Sequence, residues 1–255
     1  MRDYIVFLKK EIRENIRTNK WMILSIVFAI LGMLNPLTAK LTPQILKTIL
    51  PEGSPIPLPE PSALDSWAQF FKNINQMGII VILLVFSGIL FNELSKGTLV
   101  NILTKGLPRK VVILSKYTLM LLTWTFCLAL SFLITWVYTA YLFPAVDIHH
   151  LFYSIFCLWL YGAFLLSVLI FSSTIMNNSY GNLIIVGLTL VLGMLANLVP
   201  SIQQYNPMTL SSRNMELLNG ALEPSYFFPS ISVTLMLTII LLFLSVLIFN
   251  KRQVN

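Results

Sequence analysis

Six stretches of this chain, residues 21–39, 74–91, 117–143, 151–176, 183–199 and 231–249, are apolar over lengths that suit a lipid bilayer. A helix crossing the hydrocarbon core needs about 20 mostly apolar residues. The third and fourth runs exceed that length, so they are predicted to tilt or to project into an interface. Composition agrees: 56% of the 255 residues are hydrophobic and 11% are charged, against about 25% charged in soluble domains. The predicted fold is therefore all-α integral membrane, with six transmembrane helices in a single domain spanning residues 1–255. No cleavable leader is expected, because the first apolar run follows twenty residues rich in charge and is long enough to span.

The basic residues give the orientation. With the N-terminus inside, segments 1–20, 92–116, 177–182 and 250–255 hold 13 of the 17 Lys and Arg but only 4 of the 10 Asp and Glu. That is the positive-inside asymmetry, and it places both termini in the cytoplasm. The net charge of +7 thus reports topology. Its natural partner is an anionic headgroup surface, and nucleic-acid binding is not supported.

Between the spans, four segments carry pattern. Residues 1–20 are predicted to form a basic amphipathic helix on the inner face, with Ile5, Leu8, Ile12 and Ile16 turned to the membrane and Lys9, Lys10, Arg13 and Arg17 elsewhere. The outer loop, residues 40–73, has a proline-rich middle (51–61) that no regular helix tolerates. Ser62 and Asp65 then have capping-box spacing before an apolar stripe of Leu64, Trp67, Phe70, Phe71 and Ile74. A short outer helix turning into the second span is expected, its aromatic residues anchoring at the interface. The outer segment 200–229 carries turn signals and fits either a cap or a re-entrant hairpin.

The inner loop, 96–110, is the richest. Gly97-Thr98 breaks one helix and starts another, Leu99, Ile102 and Leu103 form a short apolar ridge, and Pro108 ends the element. Such a ridge with a basic surround suits docking into a partner's groove.

Catalytic machinery is not evident. None of the six runs carries an ionisable residue in its middle, which argues against proton coupling and voltage sensing. No metalloprotease, nucleophile-elbow or phosphate-loop motif occurs. Neighbouring His149 and His150, near Asp147, read as a surface loop, since consecutive residues do not share a helix face. Cys127 and Cys157 lie in apolar runs and read as packing residues. In the third run, Thr123, Cys127, Ser131, Thr135 and Thr139 recur every four residues. Helix packing explains the stripe, and a mildly polar wall of a translocation path is the alternative.

The run Glu93, Gly97-Thr98, Leu103-Thr104, Pro108-Arg109 and Lys116 resembles the inner loop of ABC-2 type permeases. The resemblance extends to the amphipathic connecting helix, the outer loop, six spans and the segment around Asn206-Pro207. It implies the membrane subunit of an ATP-driven exporter in a bacterial cell membrane, paired with a second permease copy or a related permease. Separate ATPase subunits would bind ATP and magnesium, with no cofactor in this chain. Glu93, Gly97, Thr98, Leu99, Ile102, Leu103, Pro108 and Arg109 would then form the coupling element seated on the ATPase. Where the family has a run of acids this chain has only Glu93, for which a helix-end salt bridge with Lys96 or Arg109 is expected. An apolar path with scattered Ser and Thr would favour amphipathic peptides, lipids or hydrophobic drugs. Two other readings fit the same features: a non-transporting sensor or scaffold recruiting a partner through its inner loops, and a lipid-modifying enzyme built on Asp147, His149 and His150.

Overall fold

The computed structural model describes residues 2–49, 60–104, 106–144 and 148–252. Most of the proline-rich stretch and Asp147 lie outside the described residues. Thirteen helices are found among the described residues: α1 (Arg2–Arg17), α2 (Lys20–Ile49), α3 (Ala63–Asn73), α4 (Ile79–Phe86), α5 (Phe91–Ser95), α6 (Thr98–Thr104), α7 (Arg109–Leu142), α8 (Leu151–Ile175), α9 (Ser179–Asn197), α10 (Pro200–Gln203), α11 (Thr209–Ser212), α12 (Asn214–Leu218) and α13 (Phe228–Lys251). A π-helical turn, Ile74–Gly78, joins α3 to α4. Six segments are long and apolar enough to span: Lys20–Pro43, Ala63–Ser95, Arg109–Leu142, Leu151–Ile175, Ser179–Asn197 and Pro224–Lys251. The chain is an all-α integral membrane protein.

Helix α2 runs past the expected end of the first span, through Lys40, even though Pro36 and Pro43 lie inside it. A proline removes the N–H that would bond the carbonyl four residues back. For Pro36 that carbonyl belongs to Gly32, and the Thr135 hydroxyl of α7 donates to it at 3.0 Å. Asn35 in turn donates to Thr135 Oγ1 at 3.1 Å and accepts from Asn73 at 2.8 Å. A neighbouring helix thus satisfies the freed backbone group, which is how membrane helices keep an interior proline. Gly32 permits the close approach, because a Cβ there would lie 2.9 Å from the Ser131 carbonyl oxygen.

The four-residue stripe of α7 is therefore a contact surface against α2 and α3. Thr123, Ser131 and Thr135 are fully buried, Thr139 shares a 2.6 Å hydrogen bond with Ser66, and Thr123 accepts a long one from Asn15 of α1. Of these side chains Thr139 also lines a cavity of about 240 Å³ with Trp67, Trp136 and Phe143.

Helix α3 begins with the capping box expected at Ser62 and Asp65. Its aromatic stripe is not a lipid anchor, however. Trp67, Phe70, Phe71 and Ile74 are buried, with Trp67 against Phe132 of α7 at 5.5 Å between ring centroids. The extended outer parts of α2 and α7 supply a protein surface that covers the stripe, so burial in protein replaces anchoring in headgroups.

The outer segment after α9 folds back into the bundle. Leu210, Leu217, Leu218 and Phe227 are buried, and the Ser211 carbonyl accepts from Asn75 in the π-turn at 2.7 Å. Asn206 donates to Gly193 and Asn197 and accepts from the Met208 N–H, closing the turn. Beside Gly220 of this segment, exposed His149 and His150 sit at the loop before α8, with ring centroids 6.4 Å apart.

Candidate functional site

On the inner side, α1, α5, the start of α7 and the end of α13 meet. The face of α1 turned to the protein is Phe7, Glu11 and Asn15, not the apolar stripe. Ile5 and Ile16 of the stripe stay exposed, while Leu8 and Ile12 pack at its edge. The helix thus offers apolar residues to lipid on one side and a carboxylate to the protein on another. Tyr4 fixes its other end by donating to Thr118 at 2.7 Å.

Glu11 enters a buried ion cluster. The Lys116 ammonium, 1% exposed, lies 3.0 Å from Glu11 Oε2 and 2.8 Å from Glu93 Oε2. Lys10 sits 3.0 Å from Glu11 Oε1, 2.5 Å from Glu93 Oε1 and 2.8 Å from the half-exposed Glu14. Glu11 and Glu93 are nearly as buried as Lys116. Two carboxylates and two ammonium groups thus form a neutral quartet tying three elements together. Burial opposes the charge on Lys10, but its contacts with Glu14 and Glu93 and the field of Glu11 outweigh it. Its pKa is raised above the ordinary 10.5. Glu11, Glu14 and Glu93 bring carboxylate oxygens within 4.8 Å of one another, close enough for a metal. The lysine ammonium groups already stand on those oxygens, so charge neutralisation is internal.

The expected salt bridge of Glu93 with Lys96 or Arg109 is therefore replaced by pairing with Lys116 and Lys10. Glu93 points inward from its helix, whereas Lys96 is exposed beyond the end of that helix. Arg109 has another role. Its Nη1 lies 2.7, 3.1 and 2.6 Å from the carbonyl oxygens of Phe249, Asn250 and Arg252, and its guanidinium sits over the Phe249 ring. It caps the C-terminal end of α13, where unpaired carbonyls and the helix dipole favour a cation. Arg252 does the same for α8, donating to the Ser173 and Thr174 carbonyls and to Asn177. Two of the inner basic residues are thus helix caps inside the protein.

The loop between the second and third spans is built on this cluster. Gly97 has φ +66° and Gly106 φ +92°, a left-handed backbone open to glycine at no steric cost. Between them α6 stands as a separate element. The Thr98 hydroxyl donates to the Glu93 carbonyl at 3.2 Å, which links the two ends of the Glu-x-x-x-Gly-Thr run. Leu99 is fully buried in the core, so it anchors the helix and is not part of an exposed ridge. Ile102 and Leu103 are half-buried, and Thr98, Asn101 and Thr104 face outward. Pro108 does not end α6; it stands immediately before α7 as its N-terminal flanking residue, where its missing N–H is harmless.

Glu93, Lys116 and the loop were legible in the sequence as site residues, whereas Glu11, Lys10 and Asn15 were not. The available signal was the four-residue spacing of Phe7, Glu11 and Asn15, a face that is neither the apolar nor the basic one.

Residues 57–254 match the family described as "Protein of unknown function (DUF2705)", and the chain belongs to it. It is also similar to the "Uncharacterized transmembrane protein YxlG" of Bacillus subtilis (strain 168), 21% identical over 260 residues and covering 99% of each chain.

Proposed function

We propose that this member of the DUF2705 family is the membrane permease subunit of an ABC-2 type, ATP-driven exporter. Energy would come from a separate ATPase subunit that binds ATP and magnesium, and two permease copies, or this chain and a related permease, would enclose the path. The observation that carries the reading is α6: a short helix on the basic side, bracketed by two left-handed glycines and tied by Thr98 and Glu93 to the ion cluster under α1. A push on α6 would reach α5 and the second span through its continuous backbone, and α1 and α7 through the Glu93, Lys10 and Lys116 contacts. Rigid coupling of this kind is what a rocking transporter requires. Amphipathic molecules are the cargo expected of so apolar a path.

The outward residues of α6, with Lys9, Arg13 and Lys110 exposed on the same basic side, form the proposed docking surface. The reading is tested by purifying the tagged chain from its native membrane in mild detergent and identifying bound proteins by mass spectrometry. A near-stoichiometric ATPase that is lost on Asn101→Arg, with the fold intact, is the expected result. Asn101 is preferable to Leu99 or Leu103, whose burial would confuse docking with folding. Recovery of the chain alone, or with a signalling protein, would overturn the exporter and favour the sensor or scaffold.

A further inference from the structure

On the outer half of the protein, a cavity of about 420 Å³ opens between the π-turn of the second span, α8, α9 and the folded-back outer segment. That is within the range of ligand-binding pockets, about 300–1,000 Å³. Its lining is of two kinds. Polar Lys72, Asn75, Gln76 and Ser212 line it together with apolar Ile79, Ile80, Leu190 and Met194. Lys72 and Gln76 are exposed, and among the described residues no carboxylate pairs with Lys72.

Depth identifies what such a cavity meets. Lys72 and Glu93 lie on the same spanning segment, Ala63–Ser95; the mostly helical stretch between them, broken by the π-turn and a turn at 87–90, comes to roughly 30 Å at about 1.5 Å per residue. The hydrocarbon core is also about 30 Å thick. With the Glu93 cluster at the inner boundary, Lys72 stands at the outer one, at the level of lipid phosphates. The apolar residues Ile79 and Ile80 follow it inward along the same segment.

We propose that this cavity binds an anionic phospholipid of the outer leaflet. The phosphate sits on the Lys72 ammonium with Asn75 and Gln76 as polar neighbours, and an acyl chain lies along Ile79, Ile80, Leu190 and Met194. A cation on an otherwise ordinary helix surface only snorkels; here it lines a cavity that apolar side chains also line. The site does not depend on the exporter reading and stands equally in a sensor or scaffold.

The test is native mass spectrometry of delipidated protein titrated separately with phosphatidylglycerol, phosphatidylcholine and inorganic phosphate. Wild type is compared with Lys72→Gln and Ile80→Trp, the latter filling the cavity from an exposed wall position. Phosphatidylglycerol is expected to bind about fivefold more tightly than phosphatidylcholine, in keeping with the effect of one basic residue at an anionic surface. Lys72→Gln should remove that preference, and Ile80→Trp should weaken both lipids. Equal binding of the two lipids, or a preference untouched by Lys72→Gln, would overturn the proposal. So would inorganic phosphate competing as well as the lipid, which would mark a free-anion site, or a lipid-excluding dimer broken by Ile80→Trp, which would mark a protein contact. Unchanged thermal unfolding of both variants separates each result from misfolding.

Discussion

Replacing Lys116 by methionine should destabilise the protein sharply, and removing Glu93 with it should restore much of the loss. In the native cluster Lys116 is 2.8 Å from Glu93 and 3.0 Å from Glu11. At an effective dielectric constant of about 20, each contact is a gross attraction of about 6 kcal/mol. Most of that only offsets the cost of taking the charges out of water. Deleting the cation leaves two buried carboxylates sharing Lys10, and stranding a buried charge costs about 3–5 kcal/mol. For a chain of this size about 1 kcal/mol moves the unfolding midpoint by about 2–4 °C, so Lys116→Met should lower it by roughly 6–20 °C. In Lys116→Met/Glu93→Gln a single buried carboxylate, Glu11, is left to Lys10 beside the half-exposed Glu14, and the double variant should cost less than the sum of the single ones by about 2 kcal/mol. The protein supplies its own reporter: Cys127 and Cys157 are free and buried, so a thiol-reactive fluorophore in detergent reads unfolding on heating. Full additivity, or a Lys116→Met variant as stable as wild type, would refute the neutral-quartet account.

Three other outcomes follow from the packing and the charges. Thr135→Val should cost about 1–3 kcal/mol by leaving the Gly32 carbonyl unsatisfied, and adding Pro36→Ala should recover part of it, because alanine supplies the missing N–H; the same thiol assay measures both. Gly162→Leu should prevent α7 and α8 from docking, since even a Cβ there would lie 2.4 Å from the Trp124 ring; loss of a monodisperse peak in size-exclusion chromatography is the expected readout. The raised pKa of Lys10 means that its pairing contributes fully below the ordinary value of 10.5 and is lost only as pH climbs through the higher folded value. The stability difference between wild type and Lys10→Met should therefore be flat from neutral pH to about 10 and shrink only above that.

The amino-acid sequence determined the features that depend on local chain chemistry or on partition between water and lipid. Six apolar runs became six spanning segments, because a helix long enough to cross the bilayer need only satisfy its own backbone. The capping box at Ser62 and Asp65 and the separate helix after Gly97 are short-range, and both were legible. What tertiary structure decided was the partner of each polar group. Glu93 met Lys10 and Lys116 instead of Lys96 or Arg109, and Arg109 closed the end of a helix 140 residues away. Helix α1 turned Glu11 inward, α2 continued through Pro36 on a hydroxyl lent by Thr135, and the aromatic stripe of α3 was covered by protein. In each case a residue's type fixed its need, for a counter-charge, a donor or an apolar cover. Which distant segment met that need was settled only when the helices packed, because sequence separation gives no distance once the chain has folded.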